Sequence, residues 1–494
     1  MQKYESRFIP IWLALVILCA LTAAAVDAGA RRSAPPERKI SAQTAPADAR
    51  LAGSYRFDRG GWVYVHLQGS PEQIGFQHGY LLAPEIKDAF EAVKLTDTHE
   101  AQRDWNFFRD AAHRMLWPHI DAEYQQELRG IAAGLQAKGL SMDIDDVVAL
   151  NAFEELPDYY VPWLNAKEKV AGAPRLQSPG NCSAFIATGS WTKDHQIVIA
   201  HNNWTSYLHG ERWRIVFDIV PQNGFRMIGD GFPGVITSDD DFAINSDGIM
   251  ITETTITQFH GWDPDGKPEF VRSRKALQYA SSIDDYVRII SDGNNGGYAN
   301  DWLLGDRKTG EIAQLELGLK HTKLWRTKDG YFAGSNFASD PQVLKDDTTF
   351  DPTNAETSPN ARRARWEDLL KNSRGKIDVD LAEKFLSDHY DTYSKTEQAD
   401  QRTLCGHGDV ANEGLSIWGW GPHYPGGAVQ GKVADSRMAE LMTFVARIGH
   451  PCGEDFHAAP FLAAHPEYSW QKPLLRDMLA GPWTEFHADE RAAK

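Results

Sequence analysis

Cysteine is scarce in this chain: 494 residues carry four, at Cys19, Cys182, Cys405 and Cys452. That is too few for a disulfide-held scaffold, which excludes the small cross-linked secreted class. Positive charge is short as well, 51 Lys and Arg against 68 Asp and Glu, a formal net charge of −17. Nucleic acid is therefore not the expected partner, because phosphate binding needs clustered cations. Several catalytic signatures are missing: no G-x-S-x-G elbow, no H-E-x-x-H pair and no G-x-x-x-x-G-K-[ST] loop. The 17 histidines show no zinc-type spacing, so neither a metal nor a cofactor is expected. A G-x-G-x-x-G match at Gly229–Gly234 contains Pro233 and runs into Val235-Ile236-Thr237. It reads as a glycine-rich turn, since a dinucleotide site needs a helix N-terminus there. Asp239-Asp240-Asp241 reads as an acidic surface turn rather than a cation loop.

Apolar and aromatic residues, by contrast, are plentiful. Hydrophobic residues make up 42% of the chain and 16 are Trp, which excludes disorder as a description of the whole. Length alone allows two to four domains. No repeat and no clear internal linker divides the chain, so residues 51–494 are expected to form one large domain. Lys3 and Arg7 precede an apolar run from Phe8 to Val26, followed by Ala28, and residues 1–28 read as an export signal. An uncleaved membrane anchor is the alternative. Residues 29–50, with Arg31, Pro35, Pro36 and Pro46, read as a disordered linker. The folded part is thus expected outside the cytoplasm, periplasmic or secreted. Removal of Cys19 with the signal leaves three cysteines, which cannot all pair within one chain. Cys405 and Cys452 lie in one region and can form a disulfide, leaving Cys182 as a free thiol.

The hydrophobic pattern changes character at that cysteine. Before it, apolar residues recur at helical spacing over 71–93, 121–140 and 145–156. From Cys182 onward, short β-rich runs follow at 182–188, 196–201, 213–220, 225–228, 242–245, 249–255, 302–306 and 312–317. Asn245-Ser246-Asp247-Gly248 is a hairpin turn signal, and helical patterns return at 273–291, 361–371 and 379–389. Strands in series with helices before, between and after them predict an α+β layered sandwich rather than βαβ units. A thiol at the start of a strand, after Pro179-Gly180-Asn181, becomes a new N-terminus if the bond before it breaks. Its α-amine, with a reference pKa of about 7.7–8.0, is then a suitable base for its own thiol. One residue would supply both nucleophile and base, the logic of N-terminal nucleophile (Ntn) hydrolases.

The runs Asn181-Cys182-Ser183-Ala184-Phe185-Ile186 and Ala200-His201-Asn202-Asn203-Trp204-Thr205-Ser206-Tyr207 resemble the phospholipase B-like family. That family is related to acyl-coenzyme A:isopenicillin N acyltransferase and the choloylglycine hydrolases. Ile244–Ile249, Glu253-Thr254-Thr255, Gly334-Ser335-Asn336, Ser358–Arg363 and the stretch from Cys405 to Lys432 fit in the same order, as do Gly75–Gly79 and Glu127–Gly134 upstream. The resemblance implies a four-layer αββα Ntn-hydrolase sandwich, made as a precursor and cut between Asn181 and Cys182. It implies attack by Cys182 on an amide or ester carbonyl of a small acylated or lipid substrate, the family name suggesting phospholipid deacylation. Asn336 would direct its NH₂ at the oxyanion. Arg362 would lower the thiol pKa, with Arg365 as its competitor. His201 would assist proton transfer and Asn203 would hold the amine, where choloylglycine-type relatives use an Arg and an Asp. Thr255 stands where relatives place a second asparagine and is a weaker oxyanion donor. Trp418–Trp420 with Pro422 and Pro425 would line an apolar pocket. The cleaved N-terminal fragment would remain a partner, and membrane contact would come only through the N-terminal segment or a lipid substrate. Two other readings stay open: an amidase or acyltransferase acting on N-acyl amino acids, peptides or β-lactams, and a non-catalytic periplasmic binding protein of the same fold.

Overall fold

The computed structural model describes residues 48–170, 182–238 and 242–491. The expected signal peptide with Cys19, most of the expected linker, Asn181 and the Asp239–Asp241 turn lie outside the described residues. Two large sheets organise the rest. The first has nine strands in the order β1-β2-β5-β6-β7-β8-β9-β10-β11, built from β1 (Tyr55–Arg59), β2 (Trp62–Gly69), β5 (Ile215–Pro221), β6 (Met227–Gly231), β7 (Ala243–Asn245), β8 (Ile249–Thr255), β9 (Asn300–Asp306), β10 (Glu311–Leu317) and β11 (Thr322–Thr327). The second has six in the order β12-β3-β4-β15-β16-β17, from β3 (Cys182–Thr188), β4 (Val198–Ser206), β12 (Gly330–Gly334), β15 (Gly426–Asp435), β16 (Thr443–Ile448) and β17 (Thr484–His487). A small hairpin, β13 (Tyr390–Asp391) and β14 (Thr396–Glu397), stands apart. Within the two large sheets the neighbours run antiparallel except β2 and β5, which are parallel with Val63 opposite Ile215.

The sequence of β3 shows why it sits where it does. Ala184 and Ile186 join a core that also takes Val216, Ile228, Met250 and Leu303 from the first sheet. Phe185 and Ala187 point the other way, into a core with Trp366, Leu370 and Phe385 from α7 (Ser358–Asn372) and α8 (Val379–Leu386). Side chains alternate across a strand, so a strand buried on both faces reads as an unbroken apolar run. On its far side the nine-stranded sheet packs Val65, Leu67 and Phe217 against α2 (Ala83–Glu100), α3 (Ala122–Ala137) and α4 (Ile144–Asn151). The helices α5 (Glu269–Tyr279) and α6 (Ile283–Ser291) cover Ile251, Leu304 and Leu315 of the same sheet.

The helix expected over 71–93 is two helices. α1 (Pro71–Leu81) opens on a capping box between Ser70 and Gln73, and Pro84 in the first turn of α2 enforces the break at Leu82. The pattern over 273–291 likewise splits between α5 and α6, where Ser282 caps the second helix. Gly75 and Gly79 of α1 face Gly130 and Gly134 of α3, and a Cβ at any of the four would run into the partner's backbone. Glycine is therefore required for the close approach of these two helices. The Gly229–Gly234 run is the end of β6 and a turn with Gly234 at φ +90°, as read from Pro233. No helix among the described residues is long and apolar enough to cross a membrane.

Candidate active site

Cys182 is the first residue of β3, a strand flanked on both sides, and is buried to 1% exposure. Its backbone is clamped at both polar atoms. The N–H donates to Asn336 Oδ1 at 3.3 Å, and the carbonyl accepts from Arg362 at 2.6 Å. Arg362 projects from the second turn of α7 and also donates to Ser183 Oγ (2.8 Å), Asn336 Oδ1 (2.7 Å) and Ser358 Oγ (2.9 Å). Its guanidinium lies 4.5 Å from the Trp204 ring centroid and 5.7 Å from that of Trp418. Burying a guanidinium costs several kcal/mol. Charge-assisted hydrogen bonds worth about 1.5–3 kcal/mol each, with the indole faces, offset that cost. Burial pulls the Arg362 pKa down to about 9, and the negative charge of a Cys182 thiolate acts in the opposite direction. At neutral pH the site thus pairs a cation with the cysteine.

Asn336 follows β12 with φ at +73°, a left-handed conformation that asparagine tolerates better than other non-glycine residues. Arg362 can only donate, so the amide must turn its oxygen to the guanidinium and the cysteine nitrogen. Its NH₂ then donates to the Thr255 carbonyl at 3.0 Å. The orientation differs from the one the sequence suggested: the oxygen, not the NH₂, faces the cysteine. Thr255 likewise enters through its carbonyl, while its buried hydroxyl has no hydrogen-bond partner.

The other expected residues fall near this core. Asn203 lies directly opposite Cys182 in the β3–β4 ladder, buried, with its Nδ2 unpartnered. His201 is fully buried, and one atom each from Cys182, His201 and Glu253 lie within 4.8 Å of one another. Burial, with the Lys432 charge, holds the His201 imidazole well below its ordinary pKa, so it is neutral at pH 7. Arg365 is not at the site; it makes a two-pronged ion pair with Asp388 and stacks on Tyr390. Two residues were not singled out from sequence. Glu253, whose carboxylate accepts from Tyr298 Oη at 3.2 Å, belongs with Cys182 and His201. Asn300 stands across the ladder from Thr255, buried, with both side-chain polar atoms unpartnered. Asn300 thus places an unpartnered amide beside Thr255.

The Phospholipase B family model matches residues 80–325, which include Cys182, His201, Glu253 and Asn300. The chain belongs to the phospholipase B-like family. Bovine phospholipase B-like 1 is 25% identical over 264 residues, 47% of this chain and 48% of the relative. Putative phospholipase B-like 2 of Mus musculus is 31% identical over 163 residues, 29% of this chain and 26% of the relative. An uncharacterized protein of Archaeoglobus fulgidus is 25% identical over 280 residues, covering 51% and 43%. The matched stretches therefore span less than half the length of each of these relatives.

Two further polar regions of this phospholipase B-like chain adjoin the site. Trp418, whose Nε1 donates to Thr257 Oγ1 at 2.9 Å, faces Arg362, but Trp420 stacks on Tyr424 instead. Trp420 and Tyr424 line a second cavity with Asp97, Glu100, Glu154, Asp158, Thr205 and His209. Burial raises all four carboxyl pKa values, Glu100 to about 7 and Glu154 to about 8, the Glu100 charge adding to the Glu154 shift. Burial also lowers His209, to about 3. The second region corrects two expectations. Cys405 and Cys452 are not joined in a disulfide. They converge with His389 and His407, so a zinc-type cluster does exist, assembled from positions too dispersed to show as a spacing.

Proposed function

We propose that this protein is an exported, self-processed cysteine Ntn hydrolase that cleaves an amide or ester bond of an acylated substrate. The family assignment supports hydrolase chemistry. The observation that carries the finer reading is the clamp on Cys182 by Asn336 and Arg362. The layers agree with it: helices on the outer face of each sheet and a shared apolar core between the sheets, the αββα order of an Ntn sandwich.

Maturation would begin with the Cys182 thiol attacking the Asn181 carbonyl. The C–N bond breaks, the nitrogen takes the proton, and the acyl group passes to sulfur as a thioester that water opens. The nitrogen that donates to Asn336 Oδ1 as an amide would then be the α-amine, held by the same acceptor. Holding it at a fixed angle beside its own thiol is the positioning a nucleophile–base pair needs. In turnover the amine takes the thiol proton, sulfur attacks the substrate carbonyl, and the amine or alcohol leaves protonated. Water resolves the acyl-enzyme. Neutral His201 and the Asn203, Thr255 and Asn300 side chains are the groups available to handle protons or the oxyanion. The family name favours a lipid acyl ester as the substrate.

Intact mass and N-terminal sequencing of the purified protein test this directly. The expected result is two fragments, the second beginning at Cys182, and an uncut chain in Cys182→Ala. A wild-type protein that stays whole and resists thiol alkylation would overturn the reading. Lysophospholipids, N-acyl amino acids and penicillins, compared on the cut enzyme, separate the substrate classes.

A further inference from the structure

We propose that His389, Cys405, His407 and Cys452 bind one structural zinc ion that braces the tryptophan wall behind Arg362. The four residues each offer a ligand atom within 4.8 Å of the others. His407 Nε2 lies 3.6 Å from both sulfurs, Cys405 Sγ and Cys452 Sγ. A tetrahedral zinc with Zn–S of about 2.3 Å and Zn–N of about 2.05 Å has an S···N edge of about 3.6 Å. Two sulfurs placed for a disulfide have no need of an imidazole nitrogen equidistant from both. The set is two thiolates and two imidazoles, soft and borderline donors that suit zinc, and all four positions are filled by protein. A closed set of this kind is structural, whereas a catalytic zinc keeps one position open.

The surroundings fix the ligands as a metal site requires. His450 stacks on His407 at 4.0 Å, and Glu454 lies 4.0 Å from His407 Nδ1, the nitrogen turned away from the sulfurs. Asp409, which also lies near His407, accepts from the Tyr207 hydroxyl at 2.6 Å. Cys405 and His407 are buried, while His389 and Cys452 are half-buried and leave a route for the ion.

The ligands come from three separated segments, and the bridge between them leads to Arg362. Gly406 stands between two ligands because the Trp204 ring fills the space a side chain would take. Trp204 Nε1 donates to the Leu404 carbonyl at 3.2 Å, and Cys405 packs in one core with Trp204 and Trp418. Those two indoles are the ones beside the Arg362 guanidinium. A zinc ion would tie the 389, 405–407 and 452 segments together and so hold both rings in place. The inference stands whether or not Cys182 is a nucleophile.

Metal analysis of the full-length protein, purified without chelator, is expected to find one zinc per chain. Chelator-stripped, reduced protein given Co(II) is expected to show thiolate-to-cobalt charge transfer and the intense d–d bands of a tetrahedral site. Cys452→Ser and His389→Gln should each weaken zinc binding by about 100-fold or more, and Cys182→Ser should leave it unchanged. Zinc removal should lower the thermal midpoint and shift the tryptophan fluorescence. Should a variant fail to fold, the cobalt spectrum of the wild type still decides. A mass lowered by two hydrogens with Cys405 linked to Cys452 in a peptide map would overturn the proposal. So would reduced, metal-free protein whose cobalt spectrum is octahedral or whose midpoint ignores added zinc.

Discussion

Trp418 and Trp420 are two residues apart, yet they wall two buried polar regions of opposite character. Trp418 faces Arg362, a cation surrounded by neutral acceptors and a thiol. Trp420 faces Glu100, Glu154, Asp97 and Asp158, carboxyls crowded together without a cation in the same cavity. Each region meets the cost of burial differently. Arg362 keeps its charge and makes four hydrogen bonds through all three of its guanidinium nitrogens. The carboxyls lower the cost by holding protons, their pKa values pushed upward. Arg362 stays charged at neutral pH, whereas Glu100 and Glu154 of the acidic cavity have pKa values of about 7 and about 8.

Substitution at the cation gives the largest effect. Arg362→Met fills the volume but removes the guanidinium donor to Ser183 Oγ and the Cys182 carbonyl, and one of the two donors to Asn336 Oδ1. It is expected to cost about 3–5 kcal/mol in urea unfolding and to stop cleavage before Cys182. An unchanged cleavage pattern would break the contrast drawn here. Asn336 comes next. Asn336→Gly and Asn336→Ala both remove the acceptor on the Cys182 nitrogen and should slow chain cleavage alike, followed by gel densitometry. Alanine should be the less stable by about 1 kcal/mol, because φ +73° strains it and not glycine. A pH-dependent effect belongs to the acidic cavity. Glu154 has a folded pKa of about 8, above its ordinary value near 4.5. Its contribution to stability is therefore full below about pH 4.5 and is lost as pH rises through about 8. The unfolding free energy from urea titrations should fall between pH 5 and 8, by at most about 1.4 kcal/mol per pH unit for each such carboxyl. Glu154→Gln should flatten that slope, and Asn336→Gly should leave it intact.

The sequence made the centre of the fold legible and its periphery less so. The β-rich run Cys182–Thr188, with Gly180 before it and Gly189 after it, has the observed ends of β3. β4 was cut short at His201, since Asn202, Asn203 and Ser206 look like turn residues and only their buried partners reveal a strand. β1, β2, β11, β12 and β15–β17 have no counterpart among the expected runs; glycine, lysine or glutamine hides the alternation in β2, β11, β12 and β15. At the site, Cys182, Asn336 and Arg362 were reachable through the family resemblance. The direction of the Asn336 amide was not, because it depends on a donor 26 residues away. Nor was the His389–Cys452 cluster, in which only Cys405 and His407 are close in sequence and the rest meet only when β15 and β16 pair.

The parallel seam between β2 and β5 has a consequence for how such a molecule is inherited and assembled. A cut before Cys182 leaves β1 and β2 on one polypeptide and β5 on the other, hydrogen-bonded from Val63–Ile215 to Gly69–Pro221. The products would then be subunits of a heterodimer encoded by one reading frame. Their one-to-one stoichiometry would be guaranteed by translation and their registry set before either existed alone. The six-stranded sheet would lie wholly on the second fragment, but the nine-stranded sheet would be complete on neither, so co-expressed fragments should recover less protein than the intact precursor.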